Sequence, residues 1–448
     1  MDISDTVTTS VARYVSPSIS HLLKKKWVIK SLEYFSMPPT ITILDIRKTP
    51  NIKLVDIIDQ LAQYFKSQSE DTYAGKMYKL LRKINTKKLT NNDRHAIRKN
   101  IEITQEGKTH LQHFYTHLKS QGIIDPNLGL ILNPFTSIIN LAEIYAQCDT
   151  MITVDFATEG LGMVRDKLHI IYPSTKPEWS DLHTKTNKWL NDCLMRICYF
   201  NWLLKTNKLP NNIYIFLPNF RKEFMRIVDD EDMIFTSSEI NTGVCDMKDI
   251  IISRSEEALK TILHELIHFH NLDFKHAIFD KECRLLFNIN THDKESFNLF
   301  EAHTECLASI LHCISRSSSQ PDLRKIFTRQ IIYTLYKSAM ILRKSGCHRY
   351  TDFIPESDNT SAKCTLHEST NVFSYFIAKT CLYFNLVLWL DKCCISDDIP
   401  GFNTTTHGFK TLLQIIELGK HNKLIQKTMD IFIKQKTTDK SLKMVWIP

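Results

Sequence analysis

One stretch constrains this chain more than any other: Ser255 to His270, SEEALKTILHELIHFH, reads as an amphipathic helix carrying two histidines one turn apart on a single face. Ser255 is a good N-cap residue, and Glu256 and Glu257 follow it where acidic side chains favour the positive end of the helix dipole. The spacing therefore predicts a helix that opens at Ser255. Leu259, Ile262, Leu263, Leu266 and Ile267 supply its apolar face, which leaves His264 and His268 projecting together, close enough for two imidazoles to grip one cation. Glu265 follows the first histidine, so its carboxylate points toward the open side of such a cation, where it can take a proton from water. With 18 histidines and an ordinary glutamate frequency, this HExxH spacing arises by chance in about 0.04 of such chains. Its setting among Ile, Leu and Phe also differs from that of two histidines on a solvated helix.

The remainder of the sequence bounds the fold around that helix. A chain of 448 residues, 43% hydrophobic and 24% charged, is long enough for two or three packed lobes and too apolar for disorder as its main state. Its formal charge of +8 is modest for the length and spread over many segments, so nucleic acid is not an expected partner. Lys76 to Lys99 is the most basic segment; it reads as a solvated helical surface, with nucleic acid or an acidic partner as the alternative. Only 11 glycines are present, without GxGxxG, GxxxxGK or GxSxG, so dinucleotide, P-loop and serine-hydrolase chemistry lack their usual backbone devices. No apolar core of about seven or more residues follows a basic start, so no signal peptide is expected and the expected compartment is the cytoplasm. The twelve cysteines, scattered from Cys148 to Cys394 with no CxxC pair, read as buried thiols rather than a disulfide framework. Val372 to Leu390 approaches the length of a bilayer span, but Lys379 and Asn385 lie within it; a buried helix, and no membrane span, is expected.

Along the chain, residues 1–130 read as a basic helical region in which Leu54, Ile57, Ile58, Leu61 and Phe65 share one helix face. Residues 131–275 mix short strands (Lys167 to Tyr172, Ile213 to Leu217, Ile250 to Ser253) with a helix whose face carries Trp189, Leu190, Cys193, Leu194 and Ile197. Residues 276–448 read as a helical lobe that includes Leu299 to Cys313, Val372 to Leu390 and Phe409 to Lys434. The expected class is α+β, mainly helical.

Thr261 to Phe269 resembles the extended zincin motif: Thr261 leads it, uncharged Ile262, Leu266 and Ile267 surround the histidines, and Phe269 follows. His270 stands where an apolar residue is usual, and as an i, i+2 neighbour of His268 it points away from the ligand face. The metzincin subclass is excluded, because Asn271 and Phe274 occupy the positions of its glycine and third histidine. The gluzincin subclass takes a glutamate from a later helix, and NLFEAHTECLASIL supplies Glu301 and Glu305 one turn apart. By this resemblance Glu301 is the third ligand of one zinc ion per chain and Glu305 accepts the free N–H of a ligating histidine, with the reverse assignment open. His303 and Cys306 fall on other faces of that helix.

The segments NTGVC, IISRSEEALKTILHELIHFHNLDF, FEAHTECLA and TNVFSYF also resemble uncharacterised HExxH proteins of large DNA viruses, over roughly residues 210–390. The resemblance implies a zincin-like α/β lobe ending in the active-site helix, a helical lobe with the third ligand, and a peptide or protein substrate. It also implies an oxyanion donor; Tyr375 is the first choice, with His367, His348 and Arg254 as alternatives. Asn241, Thr242 and Gly243, followed by Ile250 to Ile252, stand where zincins place an edge strand able to bind an extended peptide. For a viral protein the expected location is the host cytoplasm or the virion. A zinc-binding protein without turnover, and a nucleic-acid-associated protein using the basic N-terminal helices, are the alternatives from other classes.

Overall fold

The computed structural model describes residues 102–106, 116, 124–125, 130–131, 147–156, 166–204, 208–219, 221–223, 234–235, 237–245, 248–273, 287, 289–291, 298–317, 320–354, 363–393, 405–435, 439 and 441–445. The helix face at Leu54 to Phe65 and the basic segment Lys76 to Lys99 lie outside the described residues.

The main sheet has six strands. Its members are β1 (Glu102–Glu106), β4 (Thr150–Phe156), β5 (Asp166–Tyr172), β6 (Asn212–Phe216), β8 (Gly243–Cys245) and β9 (Asp249–Ile252), in the order β1-β4-β5-β6-β9-β8. A two-stranded ribbon joins β2 (Ile124–Asp125) to β3 (Leu130–Ile131), and a small parallel sheet combines β7 (Ile234–Phe235), β10 (Ile289–Thr291) and β11 (Leu366–Glu368). In the main sheet β5, β6 and β9 run parallel, whereas β1, β4 and β8 add antiparallel pairings. Ile152, Val154, Leu168, Ile170, Ile213, Ile215, Ile250 and Ile252 recur at every second position and bury one face.

Among the described residues α1 (Lys188–Leu204) packs against α2 (Ala258–Phe269), and Leu190, Leu194 and Ile197 of the first with Ile262, Leu266 and Ile267 of the second join the sheet's apolar core. α2 also lies along β8 and β9, which fixes the histidine helix against the outer edge of the sheet.

The described remainder is helical: α3 (Phe300–Arg316), α4 (Gln320–Lys344), α5 (Lys379–Phe384), α6 (Leu386–Cys393), α7 (Thr406–Lys420) and α8 (Lys423–Lys434). The class is thus α+β, mainly helical. The small sheet pairs β7, on one side of residue 275, with β10 and β11 on the other, and one continuous apolar core runs through sheet and helices.

The apolar run from Val372 is not one helix. A π-helical turn, Phe373–Ala378, leads into α5, and Asn385 interrupts the path before α6, its side-chain amide donating to the Cys381 carbonyl at 3.0 Å. Phe373 to Phe384 are buried, and among the described residues no helix is long and apolar enough to cross a membrane. The final helical segment from Phe409 to Lys434 is divided into α7 and α8, because Asn422 caps α8 by accepting from the Leu424 and Ile425 N–H groups.

Seven described cysteines are buried free thiols and Cys245 is half-buried, but Cys347 and Cys364 form a disulfide with a Cα separation of 5.4 Å. Nothing in their spacing announced that pair.

Gly419 lets α7 approach α5 closely: a Cβ there would lie 2.3 Å from Cys381 Cβ and 2.6 Å from its Cα. The obstacle includes backbone, so Gly419→Ala is expected to cost about 3 kcal/mol, measured by chemical denaturation.

Candidate metal centre

α2 begins later than the sequence suggests. Its N-cap is Glu257, held in a left-handed conformation (φ 60°), while Ser255 donates to the Pro218 carbonyl and Glu256 accepts from the Lys222 N–H. The reason is electrostatic: the Glu257 carboxylate turns inward to meet Lys222 Nζ at 2.9 Å, and helical backbone at that residue gives way. The other end stops at Asn271 (φ 52°), where the Asn271 N–H donates to His268 and the Leu272 N–H to Ile267, closing a Schellman cap.

Helices α2 and α3 pack side by side and display facing polar ladders: Lys260, His264 and His268 on one, Glu301, Glu305 and Ser309 on the other. His264 Nε2 and His268 Nε2 lie 3.0 Å apart, and Glu301 Oε2 lies 3.2 Å from the first and 3.6 Å from the second. The ligating atoms of a tetrahedral zinc site, with bonds of 2.0–2.1 Å, are separated by about 3.3 Å. The three edges of this triangle bracket that value.

Each imidazole is oriented from behind. His264 Nδ1 faces Glu305 Oε2 at 3.1 Å and His268 Nδ1 faces Asp273 Oδ2 at 2.5 Å. A proton on each Nδ1 therefore points at a carboxylate, and both Nε2 lone pairs converge with the Glu301 oxygen on one point. Without a cation or a proton between them these acceptors repel. Burial opposes charge on both imidazoles, yet Glu301 and Glu305 raise the pKa of His264, and Asp273 and Glu301 raise that of His268 well above its ordinary value. Burial likewise opposes ionisation of Glu301, but His268 and His264 hold it well below the usual carboxylate range.

The surrounding buried charges make the same point. Lys222, Lys260 and Lys379 stand against Glu257, Glu265, Asp273, Glu301 and Glu305, all nearly excluded from solvent. Three ammonium groups and five carboxylates leave a formal excess of two negative charges in a region where uncompensated charge costs several kcal/mol. Protons on both imidazoles, or one divalent cation in their place, would balance it. His264, His268 and Glu301 thus form a largely buried group that could hold a metal ion.

Glu305 is fully occupied. Its Oε2 takes Lys260 Nζ at 2.7 Å as well as His264, and its Oε1 takes Lys379 Nζ and Ser309 Oγ, each at 3.2 Å. Burial works against its ionisation, but Lys260, Lys379 and His264 lower its pKa well below the ordinary value. Glu301 and Glu305 therefore grip opposite nitrogens of the same imidazole from one helix face.

Glu265 is buried beside His264 on the same helix, and burial raises its pKa. It packs against β8: a Cβ on Gly243 would lie 2.6 Å from Glu265 Oε1 and 2.6 Å from Thr261 Cγ2. Gly243→Ala should therefore displace Glu265, strain the α2–β8 contact by about 1–3 kcal/mol and lower any catalytic turnover about tenfold or more, measured by thermal melting alongside turnover.

The site opens into a cleft of about 350 Å³ lined by Gly243, Val244, Cys245, Asn298, Asn371 and Tyr375 besides the ligands. The Tyr375 ring centre lies 6.1 Å from that of His264. Burial, then Glu301 and Glu265, push its hydroxyl pKa well up, so it stays a proton donor. His367, His348 and Arg254 do not line the cleft; Arg254 donates instead to the Arg221 carbonyl. His270 packs between Phe200 and Phe269, away from the ligands. His303 and Cys306 are buried on other faces of α3.

Of the residues expected at the sheet edge, Gly243 begins the outer strand β8 and Ile250 to Ile252 do not lie on it. Ile250 to Ile252 belong to β9, paired on both sides, and β8 is the outer strand at the cleft. Asp273, Lys260 and Lys379 were not anticipated as parts of the site. Two carried a signal: Lys260 precedes His264 by one helical turn, and Lys379 is the charge inside an apolar run.

Comparisons with known proteins add little to this geometry. The chain is 27% identical over 150 residues to an uncharacterised protein of Acanthamoeba polyphaga mimivirus, covering 31% of this chain and 37% of that one. No family model matches, and no solved structure does.

Proposed function

We propose that this chain is a zinc-dependent metallopeptidase, holding one zinc ion through His264, His268 and Glu301 and hydrolysing peptide bonds in the cleft beside α2. The observation that carries the reading is the triangle of ligand atoms 3.0, 3.2 and 3.6 Å apart with buried Glu265 on the same helix. A histidine pair with one carboxylate is a donor set suited to zinc, and it leaves a coordination position open. Bound there, the ion supplies Lewis acidity toward water and carbonyl groups.

The protein's own groups perform the other steps. The Glu265 carboxylate takes a proton from the attacking water and passes it to the departing amine nitrogen. Tyr375 donates its hydroxyl proton in a hydrogen bond to the oxygen that becomes negative on the attacked carbon. Among the described residues β8 pairs only with β9, so its other edge, with Gly243 nearest Glu265, can take an extended peptide as an added strand. The mimivirus similarity fits a viral protein, for which we place the activity in the host cytoplasm or the virion.

Elemental analysis and a peptide-library digest test this reading. About one zinc per chain and cleavage abolished by a chelator are expected. One zinc without cleavage of any peptide would favour a zinc-binding protein that lacks turnover. A protein that takes up no zinc on reconstitution has no metal centre, and HELIH would then be an ordinary helix sequence.

A further inference from the structure

The segment Ser441–Val445 lies at the start of α2, with Leu442, Met444 and Val445 buried and its backbone held in part by buried charged groups. The Met444 and Val445 N–H groups both donate to Glu257 Oε1 at 2.6 Å, and the Leu442 N–H donates to the Lys222 carbonyl at 2.8 Å. The Met444 carbonyl accepts from Gln330 Nε2 at 2.8 Å and from Lys379 Nζ at 3.3 Å, while the Met444 sulfur lies 3.5 Å from Lys260 Nζ. Two lysines therefore reach this segment and Glu305 at once. Glu305 in turn accepts from His264 Nδ1. The left-handed backbone at Glu257 fits the same picture, since such a conformation in a residue with a side chain is strained and persists where its surroundings over-determine it.

We infer that Ser441–Val445 is a positioning strap for the metal centre: by seating Lys260 and Lys379 on Glu305 it fixes the His264 ring, so that strap closure and divalent-cation binding are linked. The inference rests on the metal-centre reading above. Met444 acts through the two lysines and one carboxylate. Linkage of this kind is reciprocal. A bound ion that needs His264 in one orientation holds the strap shut, and a loosened strap weakens the ion.

Hydrogen exchange and metal competition on the full chain test both directions. Exchange at Met444 and Val445 is followed with and without zinc, with strand β5 as the internal reference. Zinc affinity is measured against a chromophoric chelator for the wild type, Val445→Pro and Glu257→Gln. The proline removes one strap N–H and alters no charge, whereas Glu257→Gln weakens the acceptor that receives two. Zinc is expected to slow exchange in the strap about tenfold or more relative to β5. Each folded variant is expected to bind zinc about 10–100-fold more weakly and to shift the visible spectrum of the cobalt-loaded protein.

Zinc bound at wild-type stoichiometry with strap exchange unchanged overturns the inference. So does a variant whose strap exchanges freely while its zinc affinity and cobalt spectrum stay those of the wild type. If Val445→Pro does not fold, the wild-type exchange measurement and Glu257→Gln still decide it. Absence of any zinc uptake is a different result, because it removes the metal centre itself.

Discussion

Glu265→Gln is expected to keep about one zinc per chain while peptide cleavage falls by about 10²–10⁴-fold. The amide has the size of the carboxylate and sits in the same space beside Gly243, so packing changes little. What it would lose on the proposed mechanism is the capacity to accept a proton from water and carry it to the departing nitrogen. Metal content and turnover measured on one preparation separate these effects. Cleavage retained within about threefold of wild type would remove Glu265 from the proton path, since general-base contributions are far larger than that.

The second large effect separates the two glutamates of α3. Glu301→Ala takes away an atom of the ligand triangle and is expected to reduce zinc affinity by more than the 10–100-fold typical of outer partners, with stability of the metal-free protein changed far less. Glu305→Ala is expected to show the opposite balance. It strands Lys260 and Lys379, both buried, and removing one partner of a buried ion pair costs about 3–5 kcal/mol. Denaturation midpoints of the metal-free variants and competitive zinc titrations give the two axes. Equal losses of affinity without the stability difference would mean that both carboxylates reach the ion.

The histidine helix was legible because helix periodicity and ligand spacing are local properties, readable over one or two turns. The same holds for β5, β6, β9 and α1, whose apolar residues recur with the right period. The packing that surrounds the site is not local. Whether Ile250 to Ile252 forms an edge or an interior strand depends on where β8 pairs, which no residue of β9 encodes. Ser255 looked like a helix cap because capping preferences are local too. The actual start was decided by Lys222, brought to Glu257 by the tertiary fold. Lys379 was visible as an anomaly, a charge in an apolar run, and its partner on α3 could be named only once α3 and α5 were seen in contact. Asp273 had no such mark; the turn at Asn271 carries it back to His268.

That the groups around His264 come from Lys222 to Met444 also sets an order in time. A ribosome adds about 5–20 residues per second, so Met444 follows His264 by roughly ten seconds or more of synthesis. During that interval the HELIH helix exists without Glu301, then without Lys379, and last without the segment on which both lysines rest. On the proposed reading, the group that would hold the ion is completed, with its supporting lysines seated, only when the last part of the described chain has been made.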